Sequence, residues 1–258
     1  MSHVEARREG PVLYLTLNRP EVRNAMSAQM VSELRDALVQ AEGAGDVRAI
    51  VLRGAGGHFS AGADLKDMAR RPRDLESMAQ SNARFGELCV AFANAPIATV
   101  AVLEGTVMGG GFGLACVADV AIAGDSALFR LPETSIGVVP AQIAAFLVER
   151  LGYAEAKRLA VSGGKLDAKA ALAIRLVHEV HPSAEVDAAL ARVLGELLQC
   201  APGAVAATKA LMAKARFAPP ASLVQEAAQV FARAALGPEG VEGAGAFVQK
   251  RKPKWAPQ

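Results

Sequence analysis

The chain has 258 residues, of which 52% are hydrophobic and 21% charged, a composition typical of a folded protein rather than a disordered one. Its 28 Lys and Arg nearly balance its 26 Asp and Glu, so we expect no nucleic-acid partner. The three cysteines are far apart and odd in number, which favours reduced thiols over a disulfide framework. The N-terminus lacks an apolar signal core, and the longest apolar stretch, 90–123, is interrupted by acids, Pro and Gly. We therefore expect a cytoplasmic protein with no membrane partner.

In the first half of the chain, apolar strands alternate with glycine-rich loops and helices. One helix is predicted to start after the N-cap Ser27 and to end at Gly43, and another runs from about Arg73 to Ala93. The order of strand, charged residue, glycine, loop and helix recurs at an offset of about 51 residues, from Arg53 to Glu104, which predicts stacked units. The predicted strands are VLYLTLN (12–18), AIVLRG (49–54), ATVAVLEG (98–105) and DVAIAG (119–124).

From Pro140 onward the apolar residues recur almost entirely at helical spacing. We therefore predict an α/β core over residues 1–190, followed by a helical C-terminal region over 191–258.

The stretch VMGGGFGLACVAD (107–119) has four glycines in five positions before an apolar helix. A dinucleotide-binding fingerprint fits poorly, because its sixth position is Cys116 and no strand-end acid follows at the required distance. Close packing of helix on strand is the structural alternative. The second glycine-rich loop, GHFSAG (57–62), is not a nucleophile elbow, because His58 occupies the position of its first glycine.

Parallel strands of adjacent units deliver the loops that follow them to the same edge of a sheet. We expect the two glycine-rich loops to meet there and to aim two backbone N–H groups, with a helix N-terminus, at one point. Such an arrangement is an oxyanion hole, in which a substrate carbonyl lies against bare backbone. Glu133, in LPETSIGVVP, is the one acid in an otherwise apolar stretch that follows the glycine region. Spacing alone also allows it to be a capping or solvent-facing residue, and the same holds for Glu104 at the end of its strand.

Four segments together resemble one known family, the crotonase superfamily of enoyl-CoA hydratases and isomerases. They are NRPEVRNAMS, HFSAGADLKDM, GGGFGLACVADVAIA and LPETSIGVVPA. The resemblance implies a spiral of ββα units with a helical C-terminal region that forms a homotrimer, usually within a dimer of trimers. It also implies an acyl-CoA thioester substrate and no separate cofactor, because the substrate itself carries coenzyme A.

The resemblance assigns roles to particular residues. The oxyanion hole would be the N–H groups of Ala63 and Gly110, and Glu133 would be the catalytic acid and base. Phe247 and Lys250 would reach the coenzyme A of a neighbouring subunit. Coenzyme A in the same subunit would lie against the loop residues Ala61, Asp64, Leu65 and Lys66.

Two positions depart from the pattern of typical hydratases of this family. Gly113 stands where they carry a second glutamate, and Ala141 where many have a glycine. We expect the room beside Gly113 to accept a branched acyl group, which agrees with a resemblance to the isohexenylglutaconyl-CoA hydratase branch of the family. The expected reaction is hydration of a branched enoyl-CoA or glutaconyl-CoA thioester. Within the fold, the alternatives are a double-bond isomerase and a generic hydratase of fatty-acid β-oxidation. A non-catalytic CoA-ester or RNA-binding homologue and a dinucleotide-dependent dehydrogenase are alternatives of other classes.

Overall fold

A computed structural model of the chain describes residues 2–70 and 74–257. Its strands are β1 (Val4–Glu9), β2 (Val12–Leu17), β3 (Ala49–Gly54), β4 (Ala98–Leu103), β5 (Thr106–Met108), β6 (Val120–Gly124), β7 (Leu128–Arg130), β8 (Lys165–Asp167) and β9 (Glu179–His181). Its helices are α1 (Ala28–Ala44), α2 (Leu65–Ala69), α3 (Leu75–Asn94), α4 (Gly110–Val117), α5 (Ala144–Leu151), α6 (Tyr153–Ser162), α7 (Ala168–Ala173), α8 (Val186–Leu197), α9 (Pro202–Ala215), α10 (Pro220–Leu236) and α11 (Pro238–Val248). Short 3-10 turns include Pro20–Val22, Ala55–Gly57 and Glu133–Ile136.

The main sheet has the order β1-β2-β3-β4-β6-β9, in which only the β1–β2 pair is antiparallel among the described strands. A smaller sheet, β5-β7-β8, lies beside it and receives the chain directly after β4. Because each unit places one strand in the main sheet and its following loop at the carboxyl edge, successive loops gather at that edge. All four predicted strands of the first half are confirmed.

Helix α1 shows how the local sequence sets an element. The side chain of Ser27 accepts a hydrogen bond from the N–H of Met30 at 3.2 Å, so the predicted N-cap is confirmed. Met30, Leu34 and Leu38 then recur on one face and are buried against the sheet and α3. Helix α3 begins at Leu75 rather than at Arg73, which itself lies outside the described residues.

The structure differs from the prediction in two places. β1 was not predicted, because only Val4 of its six residues is buried and its exposed side chains are largely charged. The region after Pro140 is not entirely helical, since β8 and β9 complete the two sheets. Both are three-residue strands and too short to show a period of two.

The proposed division at residues 190 and 191 falls inside α8. The buried residues of this helix pack on the sheet together with Val12, Val51 and Ile122, so α8 covers one face of the main sheet. The division into two regions stays a prediction.

Helices α9 to α11 bury little of their apolar surface. Among their described residues only Ala246 is buried, and Phe231, Leu236 and Phe247 are 74%, 82% and 85% exposed. No helix in the described part of the chain combines the length and the apolar character that crossing a bilayer requires.

Candidate active site

The two glycine-rich loops meet at the carboxyl edge of the sheet, as the sequence predicted. The N–H of Ser60 donates to the carbonyl of Thr106 and the N–H of Met108 donates to the carbonyl of Ser60, both at 2.9 Å. Gly62 has φ +87°, and a Cβ there would lie 2.9 Å from the carbonyl oxygen of Met108. Only a glycine therefore lets these two loops approach so closely.

The N–H group of Ala63 is turned away from its neighbouring strand segment. Ala63 is bridged in parallel to Met26. The N–H of Met26 donates to Gly62 O at 2.7 Å, and the N–H of Asp64 donates to Met26 O at 3.1 Å. In this parallel pairing, the hydrogen bonds to Met26 are made by Gly62 O and the N–H of Asp64, the residues on either side of Ala63. The N–H of Ala63 itself therefore points to the opposite side, away from Met26.

The N–H group of Gly110 is the first of helix α4 and has no acceptor inside the helix. The preceding N–H, from Gly109, is engaged with Arg130 O at 3.0 Å. Across residues 2–70 and 74–257, neither the Ala63 nor the Gly110 N–H has a hydrogen-bond acceptor. Both residues line one cavity of about 440 Å³, together with Glu133.

Glu133 opens the 3-10 turn Glu133–Ile136 and directs its carboxylate back toward the glycine loop. Gly109 has φ +50°, and a Cβ there would lie 3.0 Å from Glu133 Oε1. Glu133 Oε2 is buried and has no hydrogen-bond partner among the described residues. Burial raises the pKa of this carboxyl group above its ordinary value, and the hydrogen bond from its own backbone N–H offsets only part of that effect. Glu133 is therefore neither a cap nor a solvent-facing residue.

The structure brings most of the expected site residues together. Ala61, Ala63, Asp64 and Leu65 line the cavity with Gly110 and Glu133. Lys66 is exposed in the first turn of α2 and is not part of the lining. Phe247 and Lys250 lie at the exposed end of α11 and are likewise outside it, so their contact with coenzyme A stays a prediction.

An ion pair that the sequence analysis missed supports the loop. Arg19 Nη1 lies 2.7 Å from Asp64 Oδ2 and also donates to the carbonyl of Ala25 at 2.7 Å. Burial acts to raise the pKa of Asp64, but hydrogen bonds from Asp67 and Arg19 outweigh it and hold that pKa below its ordinary value. The pair thus fixes the strand segment that carries Ala63.

The expectation of free space at Gly113 is wrong. A Cβ at residue 113 would lie 2.2 Å from Ile143 Cγ2 and 3.1 Å from Ile143 Cβ. Ile143 is 2% exposed and lines the cavity, so its branched side chain already occupies the volume beside this glycine. Ile143 is apolar and lies 30 positions after Gly113 in the sequence, so no local pattern indicates this contact.

The remaining polar candidates have structural partners. Ser60 is fully buried and donates to the carbonyl of Asn24 at 2.8 Å. His58 Nδ1 accepts from the N–H of Thr106, and His178 Nδ1 accepts from the N–H of Ala121. Glu104 pairs with Arg53 at 2.8 Å. In the described ranges, no group of three or more His, Cys, Asp and Glu side chains is placed to hold a metal ion.

Two segments that are far apart in the sequence form walls of the cavity. Met78, Asn82 and Phe85 of α3 line the cavity, as do residues 140–143 of the loop before α5. Residues 71–73 lie outside the described part, and 144–148 are not in the lining. Met26 was missed, although its methyl group would lie 2.7 Å from a Cβ at Gly110.

Two unpaired backbone N–H groups and a desolvated carboxylate around one cavity define a class of enzyme that stabilises charge on a carbonyl oxygen while it moves a proton. The chain matches the sequence profile of a family described as enoyl-CoA hydratase/isomerase over residues 7–258. It belongs to that family, within the crotonase superfamily, and is an enzyme of the hydro-lyase type.

Individual relatives agree with this assignment. The chain is 33% identical to 2,3-dehydroadipyl-CoA hydratase of Escherichia coli K12 over 256 residues, 98% of each chain. A solved enoyl-CoA hydratase/isomerase from Marinobacter aquaeolei is 46% identical, with a TM-score of 0.95 and complete coverage of both chains. Pseudomonas aeruginosa AtuE is 48% identical, with a TM-score of 0.96 over 99% of this chain and 100% of that chain. These structures confirm the crotonase-type spiral of ββα units with its helical C-terminal region.

Proposed function

We propose that this enzyme adds water to the double bond of a branched enoyl-CoA or glutaconyl-CoA thioester. The observation that carries the proposal is the buried carboxylate oxygen of Glu133, which has no partner among the described residues and shares one cavity with two unpaired N–H groups. No separate cofactor is needed, because the thioester itself activates the double bond. The 2,3-dehydroadipyl-CoA hydratase of E. coli is a relative whose named substrate carries a second carboxyl group, which supports a substrate of this type.

The chemistry follows from these groups. The oxygen of a water molecule bonds to Cβ while Glu133 accepts a proton from that water. The π electrons of the double bond move to the thioester oxygen. The N–H groups of Ala63 and Gly110 donate to that oxygen, and they stabilise the enolate more than the neutral thioester. Glu133 then returns the proton to Cα. One C=C π bond is lost, and one C–O and one C–H bond are formed.

The loop containing Ala61, Asp64, Leu65 and Lys66 is proposed to bind the adenine and pantetheine of coenzyme A. Exposed apolar side chains on α9 to α11 support a homotrimer or a dimer of trimers, since surfaces of this kind mark protein contacts. In such an assembly Phe247 and Lys250 would contact the coenzyme A of a neighbouring subunit.

The test is a product assay with crotonyl-CoA, 3-methylglutaconyl-CoA and isohexenylglutaconyl-CoA. We expect a product heavier by one water, with the branched glutaconyl esters turned over more efficiently than crotonyl-CoA. A product of unchanged mass with a shifted double bond would instead establish an isomerase, which the single carboxylate of Glu133 also suits. A higher kcat/KM for crotonyl-CoA would assign a generic hydratase of fatty-acid β-oxidation.

A further inference from the structure

Two consecutive residues of the loop before α5 are seated against two glycines. Ile143 packs on Gly113 of α4, and Gln142 packs on Gly86 of α3, where a Cβ would lie 2.0 Å from Gln142 Oε1. Gly86 is buried within α3, a position where glycine is unfavourable by about 1 kcal/mol relative to alanine. This unfavourable helix propensity is offset because Gly86 lets the Gln142 amide approach α3 closely. A larger residue at position 86 would prevent that contact.

The Gln142 amide is held in a definite orientation. Its Nε2 donates to Asn82 Oδ1 at 2.9 Å, and both residues line the cavity that contains Glu133. Because Asn82 Oδ1 is the acceptor, the Asn82 Nδ2 group keeps two N–H donors. Neither donor has an acceptor in the part of the chain that the structure describes. The amide pair therefore presents mainly donors to the cavity.

The amide pair also lies next to the residue that packs on Gly113. Gly110 and Gly113 both belong to α4 and lie three residues, about 4.5 Å, apart along the helix axis. Ile143 covers Gly113, and Gln142, which donates to Asn82, is the residue directly before Ile143. A group on a short branch from the β-carbon of a thioester held at the N–H of Gly110 would enter this part of the cavity.

The charges around the cavity favour an anion. Arg35 of α1 and Arg84 of α3 line it, and neither forms an ion pair with any described residue. Of the acids in the lining, Asp64 is paired with Arg19, and Glu133 lies against Gly109 at the proposed reacting end of the cavity. Glu87 is exposed and is the remaining acid.

From these observations we propose that the Asn82–Gln142 amide pair binds a carboxylate on a short branch of the acyl group, close to the double bond. Asn82 Nδ2 donates to this carboxylate, and Gly86 keeps Gln142 in the place that orients Asn82. The inference rests on the proposed function for its choice of thioester ligands. The inference adds to that function the residues, Asn82 and Gln142, that select an acyl group with a second carboxylate over an uncharged acyl group.

The experiment measures binding of two unreactive thioesters by calorimetry, so that it does not depend on turnover. Glutaryl-CoA carries the carboxylate, and 5-methylhexanoyl-CoA has the same shape with two methyl groups in its place. We expect wild type to bind glutaryl-CoA at least about 10-fold more tightly, since a hydrogen bond to a charged group supports a difference of this size. Asn82→Asp should abolish or reverse the preference, because it replaces donors with a negative charge at constant volume.

Two further variants make the result specific. Gln80→Glu adds the same charge to the same helix at an exposed residue outside the cavity lining, and it should leave the preference within about twofold. Gly86→Ala should weaken the preference, because its methyl group displaces the Gln142 amide.

Three outcomes would overturn the proposal. They are no wild-type preference, an equal effect of Asn82→Asp on both ligands, or a preference that survives Asn82→Asp and is removed by Arg84→Met. Inactivity toward every enoyl-CoA would count against the proposed function and would leave this binding result intact.

Discussion

Ile143 packs its side chain against the backbone of Gly113, with its Cγ2 only 2.2 Å from the position that a Cβ on residue 113 would take. Typical hydratases of the family are expected to carry their second glutamate at residue 113. The space beside Gly113 is filled by the apolar side chain of Ile143, which is 2% exposed.

The first prediction concerns Gly113→Ala, which should lower the free energy of unfolding by about 1–3 kcal/mol through overpacking against Ile143. Gly113→Glu should lower it further, because it also buries a carboxylate without a partner. We therefore expect Gly113→Glu alone not to raise crotonyl-CoA hydration. Urea denaturation followed by fluorescence or circular dichroism measures the change.

Gly195→Ala is the matched control for this pair. Gly195 lies inside helix α8 with nothing within 4 Å of the added methyl group. Alanine there should stabilise the protein by about 0.5–1 kcal/mol through helix propensity. If Gly113→Ala stabilised the protein by the same amount, Ile143 would not be packed against Gly113.

A second prediction separates the N–H of Gly110 from the space around it. Gly110→Pro removes the donor at a first-turn position where proline is tolerated, and kcat should fall by about 10²–10³. Gly110→Ala keeps the donor and adds a methyl group that meets only the ends of Met26 and Phe85, so it should retain most of the activity. Equal losses in the two variants, at equal stability, would mean that the N–H group is not the reason for the glycine.

The third prediction uses the raised pKa of Glu133. Between the ordinary glutamate pKa and this raised value, the folded state binds more protons than the unfolded state, so the ionised carboxylate destabilises the fold as pH rises. Glu133→Gln removes this term. The variant should therefore be more stable than wild type at pH 7.5, and the difference should shrink as pH falls through the raised pKa. A difference that does not change with pH would argue against a desolvated carboxylate.

The sequence predicted the parts of the molecule that depend on local pattern. The strands β2, β3, β4 and β6 follow from continuous apolar runs, and the N-cap Ser27 follows from its position before a helical stripe. The meeting of the two glycine-rich loops followed from the order of the strands. These features can be predicted from residues close together in the sequence, or from the rule that loops after parallel strands meet at one edge of a sheet.

Contacts between distant residues could not be predicted in this way. Arg19 with Asp64, and Gln142 with Gly86, are separated by 45 and 56 positions respectively, and neither pair has a sequence signature. β1 has no apolar alternation because five of its six residues are exposed, so both of its faces carry exposed side chains. The volume beside Gly113 was misjudged for the same reason, since a glycine in a sequence does not show whether a neighbour fills its space.

The central claim is that Glu133 alone moves the proton while the backbone N–H groups hold the thioester. The most direct measurement is the steady-state turnover of 3-methylglutaconyl-CoA by Glu133→Gln, together with the calorimetric affinity of the same variant for an unreactive acyl-CoA. We predict that kcat falls by at least about 10²-fold and that the affinity stays within about threefold, because glutamine keeps the size of the side chain but cannot act as a base. Turnover close to that of wild type, at unchanged affinity, would contradict the account.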